Sequence, residues 1–108
     1  MVVVVFVTAK EDDAEKIALE IINKRLAACV NIVPSVASVY WWQGKIERDK
    51  ESLLIIKSDE KVLEKLVDAV KKTHSYSLPE IIAMKVVGGS KEYIKWVEET
   101  LSNENGDR

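Results

Sequence analysis

Residues Val2 to Val7 are apolar at both parities and, but for one phenylalanine, entirely valine. That pattern predicts a short strand buried on both faces, in the middle of a sheet. Thr8, followed three places on by Glu11, offers a capping box for a helix, with Asp12 and Asp13 favourably placed in its first turn. The stripe Ala14, Ile17, Ala18, Ile21, Ile22 and Leu26 repeats with a 3.6-residue period, and Glu15, Lys16, Glu20 and Lys24 fall on the opposite side. From Cys29 to Trp42 the chain reads as a long strand, with a bulge or bend where Pro34 interrupts it. Gln43-Gly44-Lys45 is turn-like, so this strand and the following stretch, ending in Leu53-Leu54-Ile55-Ile56-Lys57, pair as an extended hairpin. The charged run Glu47 to Glu51 projects beyond the sheet. Ser58 is placed to cap a second helix with apolar positions Val62, Leu63, Leu66, Val67 and Val70. Residues 80–87 return to strand character, Gly88-Gly89 ends them, and Ser90 caps a last helix carrying Tyr93, Ile94, Val97 and Leu101.

Strand, helix, strand, strand, helix, strand, helix is a βαββαβα order. Two βαβ-like halves of this size close as an antiparallel sheet covered by helices, a ferredoxin-like α+β two-layer sandwich. With 108 residues there is material for one domain, spanning residues 1–101, and residues 102–108 have nothing to bury and are expected as a flexible tail.

In such a sandwich the sheet face away from the helices should turn polar if it meets water. Here the strands stay apolar at both parities, and Tyr40-Trp41-Trp42 must point to both faces. An uncovered apolar face of that size asks for a partner, and self-association is the simplest one.

Composition narrows the functional classes. Sixteen basic against eighteen acidic side chains leave a net charge of −2, which provides no field to hold a nucleic acid backbone. No apolar run approaches the roughly 20 residues of a bilayer span, and the amino-terminal strand lacks the basic flank of a signal peptide. One cysteine and one histidine cannot complete a zinc cage within a chain. A reducing, cytoplasmic setting is therefore expected, with no nucleic acid or membrane partner. There is no GxGxxG, Walker, HExxH, CxxC or GxSxG pattern, so the expectation is that the protein is not an enzyme.

The side chains left for chemistry are few. Cys29 sits in an apolar strand, where a free thiol is ordinarily a small hydrophobe and otherwise a soft metal or redox group. His74 follows a helix end in an irregular segment with Tyr76, Pro79 and Glu80, where ligand-contacting groups commonly lie. Glu47, Glu51 and Glu80 offer oxygen ligands to a divalent ion or are solvated, and Lys57 either meets an anion or extends its head to water.

Taken together, Arg25 to Asn31, the Ser38-Val39-Tyr40-Trp41-Trp42-Gln43-Gly44-Lys45-Ile46-Glu47 stretch, Glu51 to Lys57, the His74 to Ile81 segment, and Tyr93 with Trp96 resemble the CutA divalent-cation tolerance proteins. The resemblance runs from residue 1 to about residue 101. It implies a cytoplasmic, ring-like homotrimer similar in architecture to PII nitrogen-signalling proteins. It also implies a role in the response to divalent cations, with metal positions falling on His74 and Cys29, and Glu80 available as an oxygen ligand. Copper is the ion favoured if nitrogen ligation dominates. The matching positions for a cleft between subunits are Trp42, Glu51, Lys57, His74, Tyr76, Glu80 and Tyr93. Ser75 and Ser77 stand where the family usually has proline and an acid, which removes one oxygen ligand from that loop. Three roles compete: a metal-binding trimer, a PII-like small-molecule sensor with an anion- and ring-accepting cleft, and a scaffold presenting its charged hairpin to a protein partner.

Overall fold

In a computed structural model, which describes residues 1–102, the elements run β1 (Val2–Ala9), α1 (Glu11–Asn23), β2 (Cys29–Trp42), β3 (Lys45–Asp59), α2 (Leu63–Thr73), β4 (Ile81–Lys85) and α3 (Lys91–Leu101). The four strands form one sheet in the order β2-β3-β1-β4, antiparallel at every junction. This is the ferredoxin-like α+β sandwich that the hydrophobic pattern predicts. The expected tail, apart from Ser102, the residue that closes α3, lies outside the described residues.

Side-chain alternation divides the sheet. Val3, Val5 and Val7 pair across β3 with Ser58, Ile56 and Leu54, and these residues are buried together with Ala14, Ile17, Ile21, Leu66 and Val70 of α1 and α2. Each such valine or isoleucine removed from water contributes about 1.5–3 kcal/mol before entropy is subtracted. The opposite face carries Val4, Phe6, Leu53 and Ile55, only half-buried, and Ile82 and Met84, which are 52% and 44% exposed. α3 packs against β3 and β1 and buries Val97 outside the cluster made by α1 and α2, leaving much of this face open.

Two caps differ from expectation. Thr8 does not cap α1: the β1 ladder continues through Thr8–Leu53 and Ala9–Ser52, so the strand holds its backbone and α1 starts after Lys10 with no side-chain cap. Ser58 does not cap α2 either. It is the penultimate residue of β3 and donates to the Leu26 carbonyl at 2.6 Å, and the buried Asp59 instead accepts from Lys61 N–H to open a single 3-10 turn, Glu60–Val62, ahead of α2. Ser90 caps α3 as expected, accepting from Tyr93 N–H.

The β2–β3 hairpin continues well past the end of β1, which pairs with β3 only as far as Ser52. Gln43 and Gly44 both have positive φ, 51° and 78°, the geometry of a two-residue turn matched to strand twist. Between Val33–Leu53 and Val36–Glu51, β2 spends one residue more than β3, a bulge at Pro34-Ser35 closed by Ser52 Oγ donating to the Pro34 carbonyl at 3.1 Å.

Candidate functional site

The bulge determines what the hairpin presents. Before it, the odd-numbered residues Cys29, Asn31 and Val33 pair with Lys57, Ile55 and Leu53 on the open sheet face. After it the phase inverts, so Val36, Ser38, Tyr40 and Trp42 pair with Glu51, Asp49, Glu47 and Lys45. Tyr40 and Trp42 thus share one side with the carboxylates, whereas Trp41, paired with Ile46, faces the other way, and Tyr40 Oη donates diagonally to Asp49.

Where the hairpin leaves the body, it and the segment after α2 enclose a cleft of about 760 Å³. Tyr40, Trp42 and Tyr76 supply its aromatic lining, Asp49, Glu51 and Glu80 its carboxylates; among the described lining residues none is basic. Glu51 is only 6% exposed and lies beside the Tyr76 phenol. The bond to Asp49, ahead of desolvation and the nearby carboxylates, pushes the Tyr40 phenol up to about 12. Burial first, then Glu51, does the same to Tyr76, which also reaches about 12. The nearby carboxylates add to both shifts after these leading causes.

His74 stands behind this cleft. It is 8% exposed; Nδ1 accepts from Tyr76 N–H at 3.0 Å, so Nε2 bears the proton and donates to the Thr8 carbonyl at 2.7 Å. The ring also lies against that of Tyr76, centroids 4.7 Å apart. Both nitrogens are engaged, and the residue pins the 74–80 segment to β1.

Cys29 is elsewhere. It pairs with Lys57, whose β1 partner Val4 lies four residues, roughly 13 Å, from Thr8. The Lys57 ammonium is 4.0 Å from Cys29 Sγ and donates to Asn31, which sets a positive charge where a metal ion would have to approach. Within one chain, therefore, Trp42, Glu51, Tyr76 and Glu80 come together, whereas Cys29 and Lys57 do not join them and Tyr93 stacks with Trp96 on α3. The anion-accepting cleft expected from Lys57 is acidic in the single subunit. Among the described residues no three His, Cys, Asp or Glu side chains are grouped to hold a metal ion. The donors of one chain do not fit a resident divalent ion. Asp49 was not singled out by sequence, because inside a charged run only the register across the bulge distinguishes it.

Residues 2–100 match the family model described as CutA1 divalent ion tolerance protein. The chain belongs to the CutA1 divalent ion tolerance family. It is 48% identical over 97 residues to the rice protein CutA 1, chloroplastic, covering 89% of this chain and 55% of that protein. With the divalent-cation tolerance protein CutA of Thermus thermophilus it shares 42% identity over 97 residues, 90% of this chain and 94% of the relative. The chain thus spans about half the length of the plant CutA proteins and nearly all of the bacterial one. Among solved structures, divalent cation tolerance protein from Thermus thermophilus superposes with a TM-score of 0.90 at 42% identity, covering 93% of this chain and 98% of the other. The structure from Archaeoglobus fulgidus, described as a periplasmic CutA, gives 0.89 at 39% identity, with coverage of 94% and 99%. These relatives carry chloroplastic and periplasmic descriptions, so family membership does not carry an address. Among the described residues no helix is long and apolar enough to cross a membrane.

Proposed function

We propose that this chain works as a cytoplasmic homotrimer of the cation tolerance family, binding rather than catalysing, with the acidic cleft as its cation-receiving site. The observation that carries this is the convergence of Asp49, Glu51 and Glu80 on a cleft that no basic side chain lines among the described residues. The open apolar sheet face supports the assembly, because threefold contact would cover Phe6, Ile82 and Met84.

Metal binding in this reading depends on the assembly. His74 spends both nitrogens inside its own subunit and Cys29 faces Lys57, so a divalent ion, copper included, needs donors from a neighbouring subunit beside Glu80 or Glu51. Native mass spectrometry with and without one equivalent of copper per chain tests assembly and ion count together. The expected result is a three-chain mass carrying at most one ion per chain, lost in Glu80→Gln. A bare three-chain mass removes the metal and keeps the assembly; a one-chain mass removes both.

The rings of Tyr40, Trp42 and Tyr76 around the same cleft favour a second reading, a sensor of small molecules in the manner of PII-like trimers. Indole fluorescence against a metabolite panel tests it, with an unchanged signal as the contrary result.

A further inference from the structure

We propose that the cleft between the hairpin and the 76–80 segment binds an organic ammonium ion, its charge met by Glu51 and Asp49 and its alkyl groups by the rings of Trp42, Tyr40 and Tyr76. The proposal rests on reading the cleft as a ligand site and is independent of any metal.

Three observations lead to it. Glu51 is a buried carboxylate whose phenol neighbour, Tyr76, is neutral, and among the described residues no ion pair reaches it. A buried carboxylate without a counter-charge is costly unless a cation meets it. The second observation is the manner in which the carboxylates are spread. A resident divalent ion takes about four ligands for zinc and six to eight oxygens for calcium, and among the described residues no trio of acidic, histidine or cysteine side chains is grouped for that purpose. An ammonium bearing carbon substituents is larger and more weakly hydrated, and separated carboxylates suffice for it. Third, indole and phenol faces attract exactly such ions through the ring quadrupole, most strongly where water is partly excluded. A cleft of about 760 Å³ admits a small alkylammonium with its substituents.

Cross-strand pairing beyond the bulge sets Tyr40 and Trp42 on the same side as Asp49 and Glu51, so the hairpin brings both halves of the recognition to one face. His74 completes the cleft without touching the ligand, by holding Tyr76 and Thr8 in place through its two ring nitrogens.

The test is a fluorescence and calorimetric titration of the full chain with tetramethylammonium and n-butylammonium chlorides, against n-butanol as the uncharged analogue and sodium chloride at equal ionic strength. The expected result is a saturable change in indole emission with both ammonium salts and none with butanol or sodium. About a tenfold loss of affinity is expected in Glu51→Gln and in Trp42→Ala, each checked for folding by circular dichroism. Trp42 is partly exposed and its truncation leaves the core alone, so that variant keeps the test valid if Glu51→Gln fails to fold. Equal response to butanol keeps the cleft as a ligand site and overturns its selectivity for ammonium ions. Silence towards every probe overturns both. A silent cleft together with a loss of assembled mass in Glu51→Gln assigns the carboxylate to a neighbouring subunit's cation and likewise overturns the proposal.

Discussion

Tyr40 and Tyr76 are the residues whose chemistry the fold changes most. Both phenols are held well above the ordinary value of 10.0, at about 12, Tyr40 chiefly by its bond to Asp49 and Tyr76 chiefly by burial with Glu51 second. A raised pKa in the folded state means that folding favours the neutral phenol. The stabilisation is complete below the unfolded value near 10 and is lost as pH climbs through about 12. Titration of tyrosinate absorbance should therefore show two late steps near 12. Asp49→Asn should bring the Tyr40 step down most of the way, whereas Glu51→Gln should lower Tyr76 only in part, because burial remains. Two unshifted steps near 10 in the native protein would contradict the arrangement. His74 makes a second residue-scale prediction. Replacing it by phenylalanine retains much of the volume but leaves the Thr8 carbonyl and the Tyr76 N–H without their partner, at a cost of about 1–3 kcal/mol. Metal-free protein should melt at a visibly lower temperature in His74→Phe; an unchanged melt would mean that the imidazole serves something other than the fold. At this scale the sequence was half legible. The irregular segment does line the cleft through Tyr76 to Glu80, yet whether an imidazole donates, accepts or coordinates depends on what faces it across the fold, and Thr8 is 66 residues away.

Among the elements, those with strong periodicity were readable, since burial alone explains them: the β1 valines, the α1 and α2 stripes, the long hairpin and the serine cap of α3 all appear as the hydrophobic pattern implies. The caps at Thr8 and Ser58 were not, because the same residues extend strands and the ladder of long-range hydrogen bonds outcompetes a local capping bond. Pro34 was readable as an interruption, but its consequence was not: only the pairing on either side reveals that one extra residue inverts the phase of everything towards Trp42. Deleting Ser35 should remove the bulge and leave every cross-strand pair in place, because Pro34 and Ser52 then stand alone between Val33–Leu53 and Val36–Glu51. Tyr40 should therefore keep Asp49 and its late step near 12, with the circular dichroism of the sheet retained. A Tyr40 step that falls towards the ordinary 10.0 in a folded deletion variant would show that the bulge itself, and not the pairing set by the Gln43-Gly44 turn, holds the phenol to its carboxylate.

For the whole molecule, the unbalanced feature is a sheet with two apolar faces and helices enough for one. α1 and α2 bury Val3, Val5, Val7, Leu54 and Ile56 completely or nearly so, and α3 covers only part of the other side. In an isolated subunit Ile82 and Met84 are exposed, and substitution of surface residues away from special features ordinarily changes stability by less than about 0.5 kcal/mol. In the proposed homotrimer the same residues lie against neighbouring chains, where a carboxylate has neither water nor partner and burial of the charge is strongly unfavourable. The two situations separate cleanly in one experiment. Ile82→Glu and Met84→Glu should each shift the mass measured by light scattering after size exclusion from three chains towards one, and lower the melting temperature in a concentration-dependent way. If the wild-type protein elutes as a single chain and both variants melt as it does, the apolar face is solvated after all, and the assembly fails with it. Should only the assembled mass collapse while the tyrosine steps persist near 12, the cleft chemistry is a property of the single subunit. Loss of mass and of those steps together would instead place the cleft's integrity in the contact between subunits.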